Sequence, residues 1–253
     1  MTAKKTLLLF AWIASVLTLT GCTSPPEPYQ FTFDPPYIRH YVGGESVQNR
    51  PLEYFILGQG EDTILIMATI HGNETAGTPL VLQLVEHFRN NRTDLKTRKV
   101  IIIPVANPDG MAQYTRQNAN GIDLNRNFYA PNRTNAPGHG YTPLSEPESR
   151  FIHMLINQYK PARIVSIHQP LTCIDYDGPA EALARHMGKA CDLPVKKLGA
   201  RPGSLGAYAG ETLKIPIVTL ELPREADDLD SQSIWEKYGP SLLAAVSYRQ
   251  PAK

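Results

Sequence analysis

Short, largely apolar runs are the sequence feature that most constrains the fold. They occur at 63–70, 99–105, 162–167 and 215–220, and each has the length of a strand that is buried on both faces. Segments with helical spacing follow several of these runs, and the last of these segments predicts a helix at about 232–248. Because strands that alternate with helices usually pair in parallel, the pattern predicts an α/β fold. We expect a mixed, largely parallel central sheet with helices on both faces.

The remaining elements carry weaker signals. Ser145 and Glu148 have the spacing of a capping box and predict a helix through about Tyr159. Thr78 before Pro79 is a plausible start for an earlier helix. The other expected elements are a strand at 52–57 and helices at 179–189 and 204–214.

Three of the apolar runs are followed directly by a potentially reactive residue. These residues are His71, His168 and Glu221. In open α/β sheets, ligands bind beyond the carboxyl ends of the strands. The sequence therefore predicts one site that contains all three side chains.

A metal site is the first candidate. His71 and Glu74 lie three residues apart where a strand gives way to a helix, so both side chains can point at one place. A catalytic zinc ion needs a third protein ligand and an open position, and His168 is the natural third ligand. An isolated histidine is more often hydrogen-bonded in a loop, but its position at a strand end favours His168 as a ligand.

Glu221 is the candidate general base. It lies between Leu220 and Leu222, and apolar surroundings raise the pKa of a carboxyl group towards the range that a base needs. The alternative is a glutamate at a strand end that pairs with an arginine on the surface.

A long polar segment before Leu144 supplies further candidates, since a segment of this length without regular structure is usually functional. An arginine such as Arg116 can stabilise an oxyanion that develops opposite a metal. Asn125 and Arg126 can hold a substrate carboxylate, because the planar guanidinium group binds carboxylates with two hydrogen bonds. Solvated loop arginines are the alternative, and we adopt that interpretation for Arg133.

Taken together, these residues resemble the zinc carboxypeptidase family over about residues 50–248. The resemblance is carried by His71-Gly72-Asn73-Glu74, Asn107-Pro108-Asp109-Gly110, Asp123-Leu124-Asn125-Arg126-Asn127-Phe128, Ser166-Ile167-His168 and Thr219-Leu220-Glu221. It implies one zinc ion per chain, bound by His71, Glu74 and His168. It also implies Glu221 as the base and Arg116 as the oxyanion partner.

The same resemblance implies that Asn125 and Arg126 clamp a terminal carboxylate. Within the family, the chain is most similar to the murein tripeptide amidases, on the evidence of residues 168–174 and 202–206. Those enzymes remove meso-diaminopimelate from L-Ala-γ-D-Glu-meso-diaminopimelate. Digestive carboxypeptidases carry a mobile tyrosine that is missing between Tyr176 and Tyr208 here, although Tyr208 could substitute for it.

The N-terminus has the features of an export signal. Two lysines precede an apolar run that is too short to span a bilayer comfortably, and Leu19-Thr20-Gly21-Cys22 resembles a bacterial lipobox. We therefore predict a lipoprotein signal peptide at 1–21, a Pro-rich tether at 22–40 and a catalytic domain at 41–253. A lipid on Cys22 would anchor the protein in the periplasm, and Thr23 favours the outer membrane.

The charge and the cysteine content bear on two further questions, nucleic-acid binding and disulfide formation. The formal net charge of +1 gives no electrostatic signal for nucleic acid, so we expect no such partner. With Cys22 acylated, Cys173 and Cys191 either form a disulfide or remain as two separate thiols.

These observations predict a lipid-anchored zinc metallopeptidase that cleaves the γ-D-Glu–diaminopimelate amide of murein peptides. One alternative is an amino-acid deacylase of the succinylglutamate or aspartoacylase type, which shares the His-x-x-Glu motif and the second histidine. The other is a catalytically dead lipoprotein that binds peptidoglycan.

Overall fold

A computed structural model describes residues 37–249, and Cys22 lies outside that range. The sheet has seven strands: β1 (Ile38–Glu45), β2 (Pro51–Leu57), β3 (Asp62–Ala68), β4 (Arg98–Ile103), β5 (Arg163–His168), β6 (Cys173–Asp177) and β7 (Ile217–Glu221). The helices are α1 (Gly77–Asn90), α2 (Pro108–Gln113), α3 (Pro147–Tyr159), α4 (Glu181–Met187) and α5 (Ser231–Ser247), with a π-helix at Gly206–Thr212. Within residues 37–249, none of the helices is both long and apolar enough to cross a bilayer.

The strand order is β1-β2-β4-β3-β5-β7-β6. The four central strands, β4, β3, β5 and β7, are parallel, whereas β1, β2 and β6 pair antiparallel at the edges. This is the predicted mixed, largely parallel sheet, and it brings the carboxyl ends of β3, β5 and β7 together.

Alternate residues of the central strands face two separate cores. In β3, Ile64 and Ile66 pack with α1, α4 and α5 on one face, whereas Leu65 and Met67 pack with α3 and the π-helix on the other. Since both faces are covered, the central strands are largely apolar, which is why they could be recognised in the sequence. Helices therefore lie on both faces of the sheet, as expected.

Two elements differ from expectation at the edges of the sheet. β1 begins at Ile38, so the last residues of the predicted tether, Ile38 to His40, belong to the sheet and pair with β2. β6 was not predicted, because its sequence contains two aspartates, which are rare in strands.

The predicted capping box at Ser145 is wrong, although α3 occupies the expected position. The N-cap residue is Glu146, and its side chain makes no capping hydrogen bond. The Glu148 carboxylate instead accepts hydrogen bonds from Val47 N and Asn118 Nδ2, at 3.3 and 3.0 Å. It serves a tertiary network that holds the long polar segment against α3.

Two further expectations concern Thr78 and the cysteines. α1 begins at Gly77, and the Thr78 hydroxyl donates to Pro104 O at 2.9 Å rather than capping the helix. Cys173 is buried and Cys191 is half-buried, and both are free thiols. Of the two alternatives, the structure therefore has separate thiols.

Candidate active site and metal centre

The three predicted metal ligands meet beyond the carboxyl ends of β3 and β5. The carboxylate of Glu74 lies between the two imidazoles, with Oε1 2.8 Å from His71 Nδ1 and Oε2 2.9 Å from His168 Nδ1. All three residues are buried, and their candidate ligand atoms lie within 4.8 Å of one another. Imidazole nitrogen and carboxylate oxygen are donors that zinc accepts, and three such ligands leave a fourth position open. The residues therefore fit a catalytic zinc ion.

A tight turn after β3 brings His71 and Glu74 together. Thr69 has a left-handed φ of 54°, and its hydroxyl donates to Glu74 O at 3.2 Å. The turn also passes close to α2, since a Cβ atom at Gly72 would lie 2.0 Å from the carbonyl carbon of Gly110. Only glycine fits at position 72 without a shift of the backbone, which explains the His-Gly-Asn-Glu pattern.

The pKa values of the ligand group show how strongly its members interact. Burial would raise the pKa of Glu74, but hydrogen bonds and charge from His168 and His71 hold it well below its usual range. Burial likewise opposes protonation of His71, yet hydrogen bonds to Asp123 and Glu74 raise its pKa. Glu74 is thus held as a carboxylate, the form that binds metal.

Asp123 is a functional candidate that the sequence analysis did not single out. Its Oδ1 lies 3.1 Å from His71 Nε2, on the side of the ring away from Glu74. A carboxylate in this position fixes the orientation of a ligating histidine. The sequence feature that could have identified Asp123 was its position in the motif at 123–128, two residues before Asn125.

Glu221 lies beside the ligand group because β7 pairs with β5 and brings it opposite His168. It is 8% exposed, and its Oε2 accepts from Leu171 N at 3.3 Å. Burial raises the pKa of Glu221, although His168 opposes the shift. The alternative of a surface glutamate paired with arginine is wrong, because no arginine in the described part of the chain forms an ion pair with it.

Arg116 reaches the ligand group from the long polar segment. Its Nη1 donates to Glu74 Oε1 at 3.2 Å and its Nε donates to Asp123 Oδ2 at 3.0 Å. Its side chain remains 39% exposed, so the guanidinium group borders both the ligands and the open cleft.

Asn125 and Arg126 form the next part of the same cleft. Asn125 Oδ1 accepts from Leu205 N at 2.9 Å, which leaves the Asn125 amide nitrogen as a donor for a ligand. Arg126 Nη1 donates to the carbonyl oxygen of Asn125 at 2.6 Å. Burial lowers the pKa of Arg126, with Asp123 opposing the shift.

One cleft of about 200 Å³ therefore contains every site residue predicted within the described range. Its lining includes His71, Glu74, Arg116, Asn125, Arg126, His168 and Glu221. Residues that the sequence analysis passed over also line it, among them Ser166, Asp175, Asp177 and Arg201.

Two expectations about individual side chains are wrong. Tyr208 cannot replace the mobile tyrosine, because it is buried, its hydroxyl lies 2.7 Å from His153 Nδ1 and its ring stacks on Phe128. Arg133 is not simply solvated, since its Nη2 donates to the carbonyl oxygens of His139 and Gly140 at 2.9 and 2.6 Å. It stabilises the loop that carries them.

Comparisons with known proteins agree with this geometry. A family model described as zinc carboxypeptidase matches residues 32–194. Murein peptide amidase A of Escherichia coli K12 is 34% identical over 217 residues, which cover 78% of this chain and 86% of the relative. The Vibrio campbellii protein of the same name is 33% identical over 208 residues, covering 74% and 80%.

Solved structures give the same result for the fold. The crystal structure of murein-tripeptide amidase MpaA from Escherichia coli O157 superimposes with a TM-score of 0.66 at 27% identity, covering 84% of this chain and 93% of that one. Carboxypeptidase A from Helicoverpa armigera shares the fold with a TM-score of 0.69 at 23% identity, covering 83% and 69%. The family match, the relatives and the ligand geometry lead to one conclusion: the chain belongs to the zinc carboxypeptidase family and is a metallopeptidase.

Proposed function

We propose that this protein is a lipid-anchored zinc peptidase that hydrolyses the amide between γ-D-Glu and meso-diaminopimelate in murein peptides. The observation that carries the proposal is the convergence of His71, Glu74 and His168 beside Glu221 in one cleft. The similarity to the murein peptide amidases supports the substrate class.

His71, Glu74 and His168 would hold one zinc ion per chain. When bound, zinc acts as a Lewis acid towards a carbonyl oxygen and makes water more acidic. Asp123 would keep the His71 ring in the orientation that directs Nδ1 at the metal.

Glu221 would act as the general base and accept the proton of the attacking water. Burial favours this role, since it raises the carboxyl pKa of Glu221 against the opposing charge of His168. After attack, the same group would return the proton to the leaving nitrogen.

Two arginines would act on the substrate. Arg116 would stabilise the negative charge that develops on the scissile carbonyl oxygen, because its guanidinium group borders the ligands from the open side. Arg126 and Asn125 would bind the free α-carboxylate of diaminopimelate, which makes the reaction a carboxypeptidase reaction at an unusual bond.

The location of the protein is a separate part of the proposal. A lipobox that ends at Cys22 would attach the mature chain to a membrane through lipid, and Thr23 after the cysteine favours the outer membrane. The catalytic domain would then act in the periplasm, at the end of a Pro-rich tether.

The deciding experiment is incubation of the purified protein with muropeptides, followed by identification of the products by mass. Release of free diaminopimelate from the tripeptide supports the proposal, and an intact tripeptide overturns it. Parallel assays with N-acyl amino acids test the deacylase alternative. The non-catalytic alternative is disfavoured by the complete ligand group and the family membership.

A further inference from the structure

The end of the sheet opposite the catalytic cleft carries a cluster of basic residues. The segment 89–99, which leads into β4, contains five basic residues and one acidic residue. Arg98 is the first residue of β4 and Arg163 is the first of β5, so both lie at the amino ends of the parallel strands. The metal ligands lie beyond the carboxyl ends, and a strand of the length of β3 spans about 20 Å. The basic cluster is therefore separate from the catalytic site.

A second cavity, with a volume of about 680 Å³, lies at this end of the sheet. Lys96, Arg98 and Arg249 line it together with two histidines, and none of the described residues that line it is acidic. Helix α5 contributes mostly apolar side chains to the lining, among them Pro240 and Leu243. The cavity therefore combines positive charge with apolar surface.

The positive charge at this end is only partly neutralised. Asp62 accepts hydrogen bonds from Nη1 of Arg98 at 3.1 Å and from Nη1 of Arg163 at 2.6 Å, so one carboxylate pairs with two guanidinium groups. Burial, with the charges of Arg163 and Arg249, lowers the pKa of Arg98, and Asp62 opposes the shift. Lys96 and Arg249 are exposed, and neither forms an ion pair with a described side chain. The two exposed cations are thus available to an anionic partner.

The described part of the chain also begins at this end. Gly58 N donates a hydrogen bond to the carbonyl oxygen of Tyr37 at 2.7 Å, and a Cβ atom at Gly58 would lie 2.3 Å from Arg98 O. Tyr37 is 42% exposed, and tyrosine is enriched where proteins meet the interfacial region of membranes. Only residues 23–36 separate Tyr37 from Cys22, and a chain of that length spans at most about 50 Å. A lipid on Cys22 would therefore keep this end of the sheet close to the bilayer.

We propose that a basic surface formed by Tyr37, Lys96, Arg98 and Arg249 docks on an anionic phospholipid bilayer and directs the catalytic cleft away from the membrane. The inference rests on the lipid anchor of the proposed function and names the partner of the opposite face of the domain. A Lys or Arg side chain near an anionic bilayer strengthens binding by about fivefold. So few charges would orient an anchored domain, but they would not hold it on the membrane alone at physiological salt. The cleft would then open towards the murein.

The test uses the Cys22→Ser protein, so that lipid does not contribute to binding. The protein is sedimented at low salt with vesicles of phosphatidylglycerol or of phosphatidylcholine. Lys96→Gln with Arg249→Gln removes two charges from the basic surface. Lys197→Gln with Arg224→Gln removes two charges from exposed positions that do not line the cavity, and is the matched control.

We expect the Cys22→Ser protein to bind phosphatidylglycerol vesicles at low salt, to lose them as the salt is raised, and not to bind phosphatidylcholine vesicles. The change at Lys96 and Arg249 should weaken binding about 25-fold, since each charge contributes about fivefold. The control should stay within about threefold of the parent protein. Equal weakening in the two variants, or equal binding to the two lipids, would overturn the inference.

Acetylation of amines, read by mass spectrometry, identifies the docked surface. On phosphatidylglycerol vesicles, Lys96 should be protected from the reagent, whereas Lys197 should react as in the free protein. Absence of vesicle binding at low salt, or a Lys96 that stays equally reactive, would overturn the inference. Failure to cleave muropeptides would overturn the proposed function but not this inference, because vesicle binding requires no catalysis.

Discussion

His168 and Glu221 lie directly opposite one another on the neighbouring parallel strands β5 and β7. One completes the ligand group, and the other is a buried carboxylate with a raised pKa. Because the two side chains have different predicted roles, metal binding and proton transfer can be tested by substituting them separately.

The first prediction concerns the metal. The purified protein should contain about one zinc ion per chain, and His168→Ala should lose most of it, because the two remaining ligands bind zinc weakly. Elemental analysis after gel filtration measures this, with His186→Ala on α4 as a control outside the cleft. A zinc-free wild type whose hydrolysis is insensitive to chelators would contradict the assignment.

The second prediction concerns the base. Glu221→Gln can still accept the hydrogen bond from Leu171 N but cannot take a proton, so zinc should remain while activity falls at least ~10²-fold. Loss of zinc in this variant would instead identify Glu221 as a ligand.

The same carboxylate predicts a pH dependence. The base must be ionised, and burial raises its pKa, so kcat/KM should fall on acidification at a pH above the value of about 4.3 that is usual for glutamate. A pH–rate profile of the wild type measures the midpoint. A midpoint at or below the usual value would contradict the predicted shift.

The sequence predicted the centre of the fold better than its edges. Strands that are buried on both faces, such as the one predicted at 63–70, could be recognised because a continuous apolar run is a local sequence pattern. The candidate site residues were then identified by their positions directly after these runs. β6 was missed because it contains Asp175 and Asp177, which line the cleft, and aspartate is rare in strands. The Glu148 network was also unreadable, since its partners are about 30 and about 100 residues away.

Asp177 should affect stability. Burial raises its pKa to about 6 in the folded protein, so the folded state binds its proton more tightly than the unfolded chain. The cost of ionising Asp177 is therefore absent below about pH 4 and complete above about pH 6 to 7. Asp177→Asn should increase the free energy of unfolding relative to the wild type by on the order of 2 kcal/mol at pH 8, and by much less at pH 4.

Urea unfolding of both proteins at the two pH values measures this difference. Asp192→Asn should show no such dependence, since that side chain is exposed. A difference between wild type and Asp177→Asn that is the same at pH 4 and pH 8 would contradict the raised pKa.

The lipid anchor gives a prediction about location. Cys22→Ser should move the protein from the membrane fraction to the soluble periplasm, because the substitution removes the thiol that would carry the lipid. Fractionation followed by immunoblotting measures the shift, and Cys191→Ser is the matched control. Membrane association that persists in Cys22→Ser would count against the lipobox.

The last prediction concerns which peptides are cut. If Arg126 and Asn125 bind the free α-carboxylate of diaminopimelate, that residue must be the C-terminus of the peptide. In a tetrapeptide, this carboxylate is an amide to D-Ala and cannot pair with the guanidinium group. Loss of one partner of a partly buried Arg–carboxylate pair costs several kcal/mol, so the tetrapeptide should be cut at least ~10²-fold more slowly than the tripeptide.

Competition between the two peptides in one tube, read by mass spectrometry, measures this ratio. Arg126→Ala should remove most of the discrimination by slowing tripeptide cleavage, and it should keep its zinc because Arg126 makes no hydrogen bond to the three ligands in the described structure. Arg185→Ala, on the exposed face of α4, is the control. Equal rates for the two peptides with the wild type would mean that the clamp is misassigned and that the enzyme acts as an endopeptidase.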